Sequence, residues 1–265
     1  MRIHALVFKL FVLNVFLSHA DIATDSSANY SNGVWNNGDN QGIGFQNWVL
    51  TQNPSSGSYI GATGAGNSTF GLYADENNFS AAEREFEQAL SVGQSFQITL
   101  GHTANINGSI GITLFSESED LINLNFSSGQ SNWLLWDGDS TTHSSAAYNP
   151  NTPLLFNFIH NNVSNYTYTF AEITQTRTAI SDLNQIIGFR IYNNGQGAGE
   201  NFGFDNIAVI PEPSTIAFLG LSSLCILGLR NEKARNSLIC KKSRNCQENI
   251  GSLEKSRYFD SHINI

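Results

Sequence analysis

Short apolar and alternating runs, separated by clusters of small polar residues, constrain the fold of this chain more than any other feature. They are rich in Phe, Ile, Tyr and Thr, and Gly, Asn, Ser and Asp lie between them, which is typical of strands and turns. Such a pattern predicts an all-β protein, folded as one antiparallel sandwich of two sheets. The eleven runs are FQNWVL, SYIGA, TFGLYA, SFQITL, IGITLF, LINLNF, NWLLW, LLFNFI, NYTYTF, IIGFRIY and FGFDNIAV.

One segment of the body, Ala81–Leu90, fits this pattern less well. It contains good helix formers and charged pairs at helical spacing. Phe86 and Leu90 nevertheless fall on one face of an extended chain, with Glu85 and Glu87 on the other. We interpret the segment as a strand.

The first 20 residues have the layout of a secretory signal peptide. Arg2 and Lys9 carry positive charge, an apolar run follows over Leu10–Leu17, and Ser18 and Ala20 place small residues before a cleavage site. The alternative is a buried N-terminal helix, which would show polar residues at helical spacing, whereas this run contains only Asn14. We therefore expect recognition by the secretion machinery, cleavage by signal peptidase and export of the body.

Charge is divided unevenly along the chain. Residues 21–210 contain 17 Asp and Glu, three Arg and no Lys, a net charge of −14, whereas from residue 230 onward eight basic residues face four acidic ones. A body this acidic repels phosphate backbones, which excludes nucleic acid as a partner. The three cysteines all lie beyond residue 210, so the body has no internal disulfide.

A second apolar run begins at Pro213, which suits the first turn of a helix. Residues 213–229 carry no charge and would form a helix of about 25 Å, near the lower limit for crossing a bilayer. Arg230, Lys233 and Arg235 follow, and such a basic cluster is retained on the cytoplasmic side. We predict a membrane helix at 213–229 and a disordered, basic cytoplasmic tail at 236–265. A buried core helix is the alternative.

The order of these features resembles the PEP-CTERM sorting signal of Gram-negative bacteria that produce exopolysaccharide. The matching residues are Pro211, Glu212, Pro213, Ser214 and Thr215, the apolar run and the basic residues up to position 235. The resemblance implies that an exosortase recognises the Pro-Glu-Pro segment and delivers the body, residues 21–210, from an inner-membrane-anchored precursor to the cell surface or extracellular matrix. Two departures are the spread-out basic cluster and the 30 residues that follow it.

The body resembles the domains that precede such signals, at Thr69–Ala74 and Gly203–Val209. These domains are jelly rolls related to concanavalin-like lectins and carbohydrate-binding modules, and the resemblance implies that Asp205, near the end of the last strand, binds structural calcium. Asp137 and Asp139, two residues apart in a WDGDS loop, form a second candidate for a hard cation. An ordinary Asp-Gly turn is the alternative there.

No catalytic or phosphate-binding motif occurs in the sequence. His102, His143 and His160 are widely separated in the body and have no cysteine partners, which argues against zinc. We therefore predict a non-enzymatic surface or matrix protein without a cofactor other than calcium. The alternative is a lectin-like module for extracellular polysaccharide, with tryptophan rings as stacking surfaces unless they lie in the core; the candidates are Trp35, Trp48, Trp133 and Trp136.

Overall fold

A computed structural model of the chain describes residues 22–30, 33–103, 107–138, 143–195 and 201–211. It confirms the predicted all-β sandwich of two antiparallel sheets, with fifteen strands in the described ranges. The strands are β1 Ala23–Asp25, β2 Val49–Gln52, β3 Ser56–Thr63, β4 Gly66–Ala74, β5 Phe79–Glu85, β6 Ser95–His102, β7 Ser109–Phe115, β8 Asp120–Ser127, β9 Asn132–Trp136, β10 His143–Ala147, β11 Leu154–His160, β12 Asn165–Phe170, β13 Ile173–Thr178, β14 Gly188–Asn194 and β15 Asn201–Ile210.

The strands are divided between two sheets that enclose one core. The first sheet has the order β13-β12-β11-β6-β15-β4-β3, with β1 also paired to β15, and the second has the order β10-β9-β8-β7-β14-β5-β2. Short 3-10 turns occupy Ser27–Asn29 and Leu183–Gln185. Within the described residues, no helix is long and apolar enough to span a bilayer.

Alternation along each strand determines which side chains reach the core. In β12, Tyr166, Tyr168 and Phe170 are buried, whereas the intervening Asn165, Thr167 and Thr169 are only partly so. The hydroxyls of the last two are hydrogen-bonded to hydroxyls of β13, Thr167 to Thr176 at 2.8 Å and Thr169 to Thr174 at 2.9 Å. This period of two is the pattern that the sequence runs displayed.

The segment Ala81–Leu90, predicted as a strand despite its helix formers, is a strand over its first part. β5 ends at Glu85, and Phe86 makes one further isolated bridge to Phe45. β5 lies between β14 and β2, so its backbone groups bond to neighbours on both sides. Pairing with two strands outweighs the local preference for a helix, because each backbone donor and acceptor already has a partner.

A β-bulge interrupts β15 where its neighbours change. Asp205 lies opposite Thr99 but Ala208 lies opposite Gln97, so β15 carries one extra residue, and Asn206 has a positive φ of 53°. Before the bulge β15 pairs with β4, and after it with β1. Asparagine tolerates this left-handed backbone better than most residues, which explains its place in the bulge.

A buried ion pair links β1 of the first sheet to β5 of the second. The side chains of Asp25 and Arg84 are both 0% exposed and bond to each other. Asp25 also accepts hydrogen bonds from the Tyr30 hydroxyl at 2.9 Å and from Asn29 Nδ2 at 3.0 Å. Since a buried charge is costly unless paired and hydrogen-bonded, these contacts allow both charges to remain in the core.

Candidate functional site

The second sheet carries a row of polar and aromatic side chains on the surface that faces away from the first sheet. Glu83, Arg190, Thr113, Asn123 and Trp136 lie opposite one another in that order on β5, β14, β7, β8 and β9. Their neighbours along each strand alternate into the core. The row therefore runs across the strands on the outer surface, and it spans roughly 19 Å at about 4.8 Å per strand.

A second row lies beside the first. Tyr192 of β14 is opposite Gly111 of β7, which is opposite Asn125 of β8. A Cβ atom on Gly111 would lie 2.5 Å from the Tyr192 hydroxyl, so the glycine leaves the space in which that side chain lies across β7. The hydroxyl donates to Asn123 Oδ1 at 3.3 Å on the strand beyond. Burial raises the pKa of Tyr192, so its hydroxyl stays protonated at neutral pH.

We refer to the half-buried side chains of these two rows as the Trp136 face, which comprises Glu83, Asn123, Asn125, Trp136, Arg190 and Tyr192.

Hydrogen bonds hold several of these side chains in fixed positions. Asn123 Nδ2 donates to the buried hydroxyl of Thr113 at 2.8 Å. Arg190 Nε donates to Glu83 Oε2 at 2.7 Å and its NH1 group to Asp120 Oδ1 at 3.1 Å. Burial lowers the pKa of Arg190, but the two carboxylates outweigh that effect and the net pKa is raised. The face is thus organised before any ligand arrives.

The four tryptophans proposed as stacking surfaces separate into two groups. Trp48 and Trp133 are 0% exposed and Trp35 is 4% exposed, and all three belong to the core cluster. Trp35 and Trp48 pack edge to face with their ring centroids 5.2 Å apart. The prediction of a stacking role is wrong for these three, because core packing already covers their rings. Trp136 is half-buried on the outer surface and remains a candidate stacking surface.

An open pocket lies elsewhere, near the sandwich edge formed by β2 and β3. Its volume is about 370 Å³, and it is lined mainly by polar side chains, with Trp35 and Leu50 as the apolar ones. The Gln52 amide donates to Ser58 Oγ at 2.8 Å there. The pocket offers hydrogen-bonding groups, but its one indole, that of Trp35, is almost fully buried and leaves little ring surface for stacking.

The candidate calcium ligands lie in two separate hydrogen-bonded clusters. Asp205 Oδ1 accepts from the Ser27 backbone N–H, and its Oδ2 from the Ser27 hydroxyl, both at 2.9 Å. Asp137 Oδ2 accepts from the Tyr166 hydroxyl at 2.7 Å and from Arg177 Nε at 2.9 Å. Arg177 places a positive charge where a cation would have to bind, which does not favour metal at Asp137.

Asp139, the other member of the proposed cation loop, lies outside the described residues. The described ranges contain no cluster of three or more His, Cys, Asp or Glu side chains that is placed to hold a metal ion. Calcium binding therefore stays a prediction, carried for Asp205 by the sequence resemblance.

The sorting and targeting predictions fall largely outside the described residues. Pro211 is the last residue that the structure describes. The signal peptide at 1–20, the remainder of the sorting motif (Glu212, Pro213, Ser214 and Thr215), the membrane helix at 213–229, the basic residues Arg230, Lys233 and Arg235 and the tail at 236–265 all lie beyond it or before the first described residue.

Sequence reasoning did not single out Tyr192, Asn123, Asn125 or Arg190. Alternation in the FRIY and NLNF runs is enough to predict that these side chains share outward positions. It does not reveal that β14 and β8 flank the same strand, β7, because that pairing joins segments far apart in sequence. The Gly111–Tyr192 pairing is likewise visible only once the register is known.

Comparison with solved structures supports the fold. An endo-acting O-glycanase from the human gut microbiota has a TM-score of 0.52 and 9% sequence identity, over 72% of this chain and 99% of its own. The galectin LEC-6 of Caenorhabditis elegans has a TM-score of 0.39 and 11% identity, over 48% of this chain and 88% of its own. The cellulose-induced protein Cip1 has a TM-score of 0.43 and 11% identity, over 61% and 90%.

No protein-family model matches the sequence, and no curated protein is similar to it at a significant level. At 9% identity, the likeness to the O-glycanase shows a shared β-sandwich fold and no more. A shared fold does not determine function, which depends on the chemistry of the site.

Proposed function

We propose that the body of this chain is a non-catalytic glycan-binding module and that the Trp136 face is its binding surface. The observation that carries the proposal is the position of Trp136. It is the one tryptophan of four that core packing does not bury, and all four lie in the described part of the chain. It ends a row of side chains that can donate and accept hydrogen bonds.

Sugars present two kinds of surface, and the Trp136 face offers a complement to each. The C–H groups of a pyranose ring form an apolar patch that packs on an aromatic ring, and its hydroxyls need donors and acceptors. Trp136 and Tyr192 provide rings, while Asn123 and Asn125 provide amides that both donate and accept. A few placed polar groups around apolar contacts are the usual composition of a binding site.

The shape of the face suits a chain of sugars better than a single one. A row of roughly 19 Å across five strands is long enough for several rings in line. Because hydrogen bonds already fix Asn123 and Tyr192, little side-chain entropy is lost on binding. The O-glycanase, an enzyme that acts on mucin glycans, shares this sandwich fold, which is compatible with the glycan-binding part of the proposal.

Binding without cleavage fits the contacts of the two carboxylates here, Glu83 of the face and Asp120 beside it. Hydrolysis of a glycosidic bond needs one carboxyl group to protonate the leaving oxygen and a second to act as nucleophile or base. Glu83 and Asp120 both bond to the guanidinium of Arg190, which holds them as its ion-pair partners. This arrangement supports a binding role.

We also propose that the module is exported and anchored by the sorting route, as the order of motifs from Pro211 to Arg235 indicates. A glycan-binding body delivered to the cell surface by an exosortase would hold extracellular polysaccharide there. This part of the proposal rests on the sequence resemblance.

The binding surface is tested with Trp136→Ala and a matched control, Tyr73→Ala. Tyr73 is 39% exposed and lies on the first sheet, so its loss removes an accessible aromatic ring elsewhere on the body. Binding of the purified full chain to a panel of polysaccharides is measured by affinity electrophoresis. We expect Trp136→Ala to weaken binding by about tenfold or more, as loss of a major aromatic contact does, and Tyr73→Ala to leave it unchanged. Equal binding by wild type and Trp136→Ala, or no binding to any member of the panel, overturns the proposal.

A further inference from the structure

The cations of the body are few. Residues 21–210 contain no lysine and only Arg84, Arg177 and Arg190. A protein that binds an anionic polymer uses unpaired Lys and Arg side chains, because each contact replaces the counterions of the polymer. The ligands that the body can bind therefore depend on whether any of these arginines is free to pair with an anionic group.

Each of the three arginines is already paired with a carboxylate. Arg84 is buried against Asp25. Arg177 Nε lies 2.9 Å from Asp137 Oδ2, and the Asp137 side chain is 1% exposed. Neither of these two guanidinium groups belongs to the Trp136 face, so Arg190 is the cation that a ligand on that face would meet.

Arg190 brings no net positive charge to the face. Its Nε and NH1 groups bond to Glu83 and Asp120 at 2.7 and 3.1 Å, so two negative charges surround one positive charge. The guanidinium also lies over the Phe115 ring, 5.4 Å from its centroid, which fixes it further. A sugar carboxylate at this point would meet a guanidinium whose charge two protein carboxylates already neutralise, and it would lie close to both of them.

Repulsion from the rest of the body acts in the same direction. The net charge of −14 over residues 21–210 opposes the approach of any polyanion, although salt reduces this effect beyond about 10 Å at 0.1 M ionic strength. The amides of Asn123 and Asn125 and the hydroxyl of Tyr192 carry no charge, and they match the hydroxyl and acetamido groups of neutral sugars.

We infer that the ligand of the Trp136 face is a glycan whose sugars carry no carboxylate, sulfate or phosphate, so that polyuronates such as alginate are excluded. The inference rests on the proposed function, since it assigns the substrate class of the same surface. It also excludes capture of acidic exopolysaccharide by direct ion pairing.

The experiment uses matched pairs of oligosaccharides that differ only in oxidation of the exocyclic carbon. A mannan oligosaccharide is compared with its mannuronic acid counterpart of equal length and linkage, and a cellulose oligosaccharide with its glucuronic acid counterpart. The remaining neutral polysaccharides of the panel are compared with carboxylated derivatives. Calorimetry with the full chain in a sodium buffer without divalent cations gives the affinities. We expect each neutral member that binds to do so at least about tenfold more tightly than its acidic partner. The affinity for the neutral member should change little between low and high salt.

A charge variant makes the test specific to Arg190. Glu83→Gln with Asp120→Asn removes both of its carboxylate partners, and we expect the ratio of acidic to neutral affinity to rise by about tenfold at low salt. The control, Glu85→Gln with Glu87→Gln, changes the net charge equally at two exposed side chains that are not among the ion-pair partners of Arg190, and it should leave the ratio unchanged.

Binding of an acidic member as tightly as its neutral partner or more tightly, or an equal rise in the ratio for both double variants, overturns the inference while the proposed function stands. Absence of binding to every member, neutral or acidic, overturns the proposed function itself.

Discussion

Replacing Arg84 with methionine would leave the carboxylate of Asp25 buried without its cationic partner. Both side chains are 0% exposed, so water cannot replace the lost guanidinium. Methionine preserves most of the volume that Arg84 fills between Phe45 and Trp48, whose rings lie 4.8 and 4.9 Å from the guanidinium carbon. The change therefore removes chiefly the charge and its hydrogen bonds.

The expected cost is large for one substitution. Removing one member of a buried ion pair destabilises a protein by about 3–5 kcal/mol, because the remaining charge is uncompensated. For a domain of this size, with roughly 2–4 °C lost per kcal/mol, the melting temperature should fall by on the order of 10 °C. Hydrogen bonds from Tyr30 and Asn29 still reach Asp25, but neither supplies positive charge.

The assay is urea unfolding of the full chain followed by circular dichroism. Arg190→Met is the control, because that side chain is 32% exposed and its two ion pairs are partly solvated, which predicts a loss of about 1 kcal/mol or less. Adding Asp25→Asn to Arg84→Met should recover stability, since no unpaired charge then remains. A loss of stability in Arg84→Met no larger than that in Arg190→Met would contradict the predicted penalty for an unpaired Asp25, as would a double variant less stable than Arg84→Met alone.

Three further predictions concern pH, metal and processing. Burial raises the pKa of Tyr30 and of Tyr166 above the ordinary value near 10, helped by the neighbouring aspartates. Their native states then hold a proton that the unfolded chain releases. The stability that these two tyrosines contribute is therefore constant below about pH 10 and falls above it by about 1.4 kcal/mol per pH unit for each tyrosine. Tyrosinate absorbance should rise together with loss of structure, and ionisation of every tyrosine in an intact fold would contradict this. If Asp205 binds calcium, chelation at constant ionic strength should lower the melting temperature by several degrees, and magnesium should not restore it. An unchanged melting temperature, with no calcium in the purified chain, would leave Asp205 only as a hydrogen-bond acceptor for Ser27. In a host with an exosortase, mass spectrometry of surface protein should find chains that end near Pro211–Thr215, and the prediction fails if the protein is intact where other PEP-CTERM proteins are cleaved.

The fold class was predictable because alternation is a local signal. The run NYTYTF places Tyr166, Tyr168 and Phe170 on one side of β12 whatever strand lies beside it. The strand predicted over Ala81–Leu90 is correct only as far as Glu85, and the two residues whose spacing favoured it, Phe86 and Leu90, lie beyond the end of β5. Alternation depends only on neighbours along the chain, whereas β5 also depends on its pairing with β14 and β2.

The site could be predicted only in part, because it depends on which strands are neighbours. Trp136 was a candidate together with three tryptophans that the sheets enclose, and composition does not distinguish an inward ring from an outward one without the register. Arg190 lies 107 residues from Glu83 and 70 from Asp120, and no local pattern predicts those ion pairs. The hydrogen bond between Asp205 and Ser27, at the start of the bulge in β15, likewise depends on which strands lie beside β15.

Tryptophan fluorescence with a neutral quencher tests the central claim most directly. Acrylamide carries no charge, so the acidic body does not repel it, and Trp136 should supply most of the quenchable emission because Trp35, Trp48 and Trp133 are buried. We predict that a neutral oligosaccharide which binds the full chain will protect this emission from acrylamide, and that Trp136→Phe will abolish the protected component. Binding that leaves the quenching of Trp136 unchanged would contradict the account, because it would place the glycan on another surface.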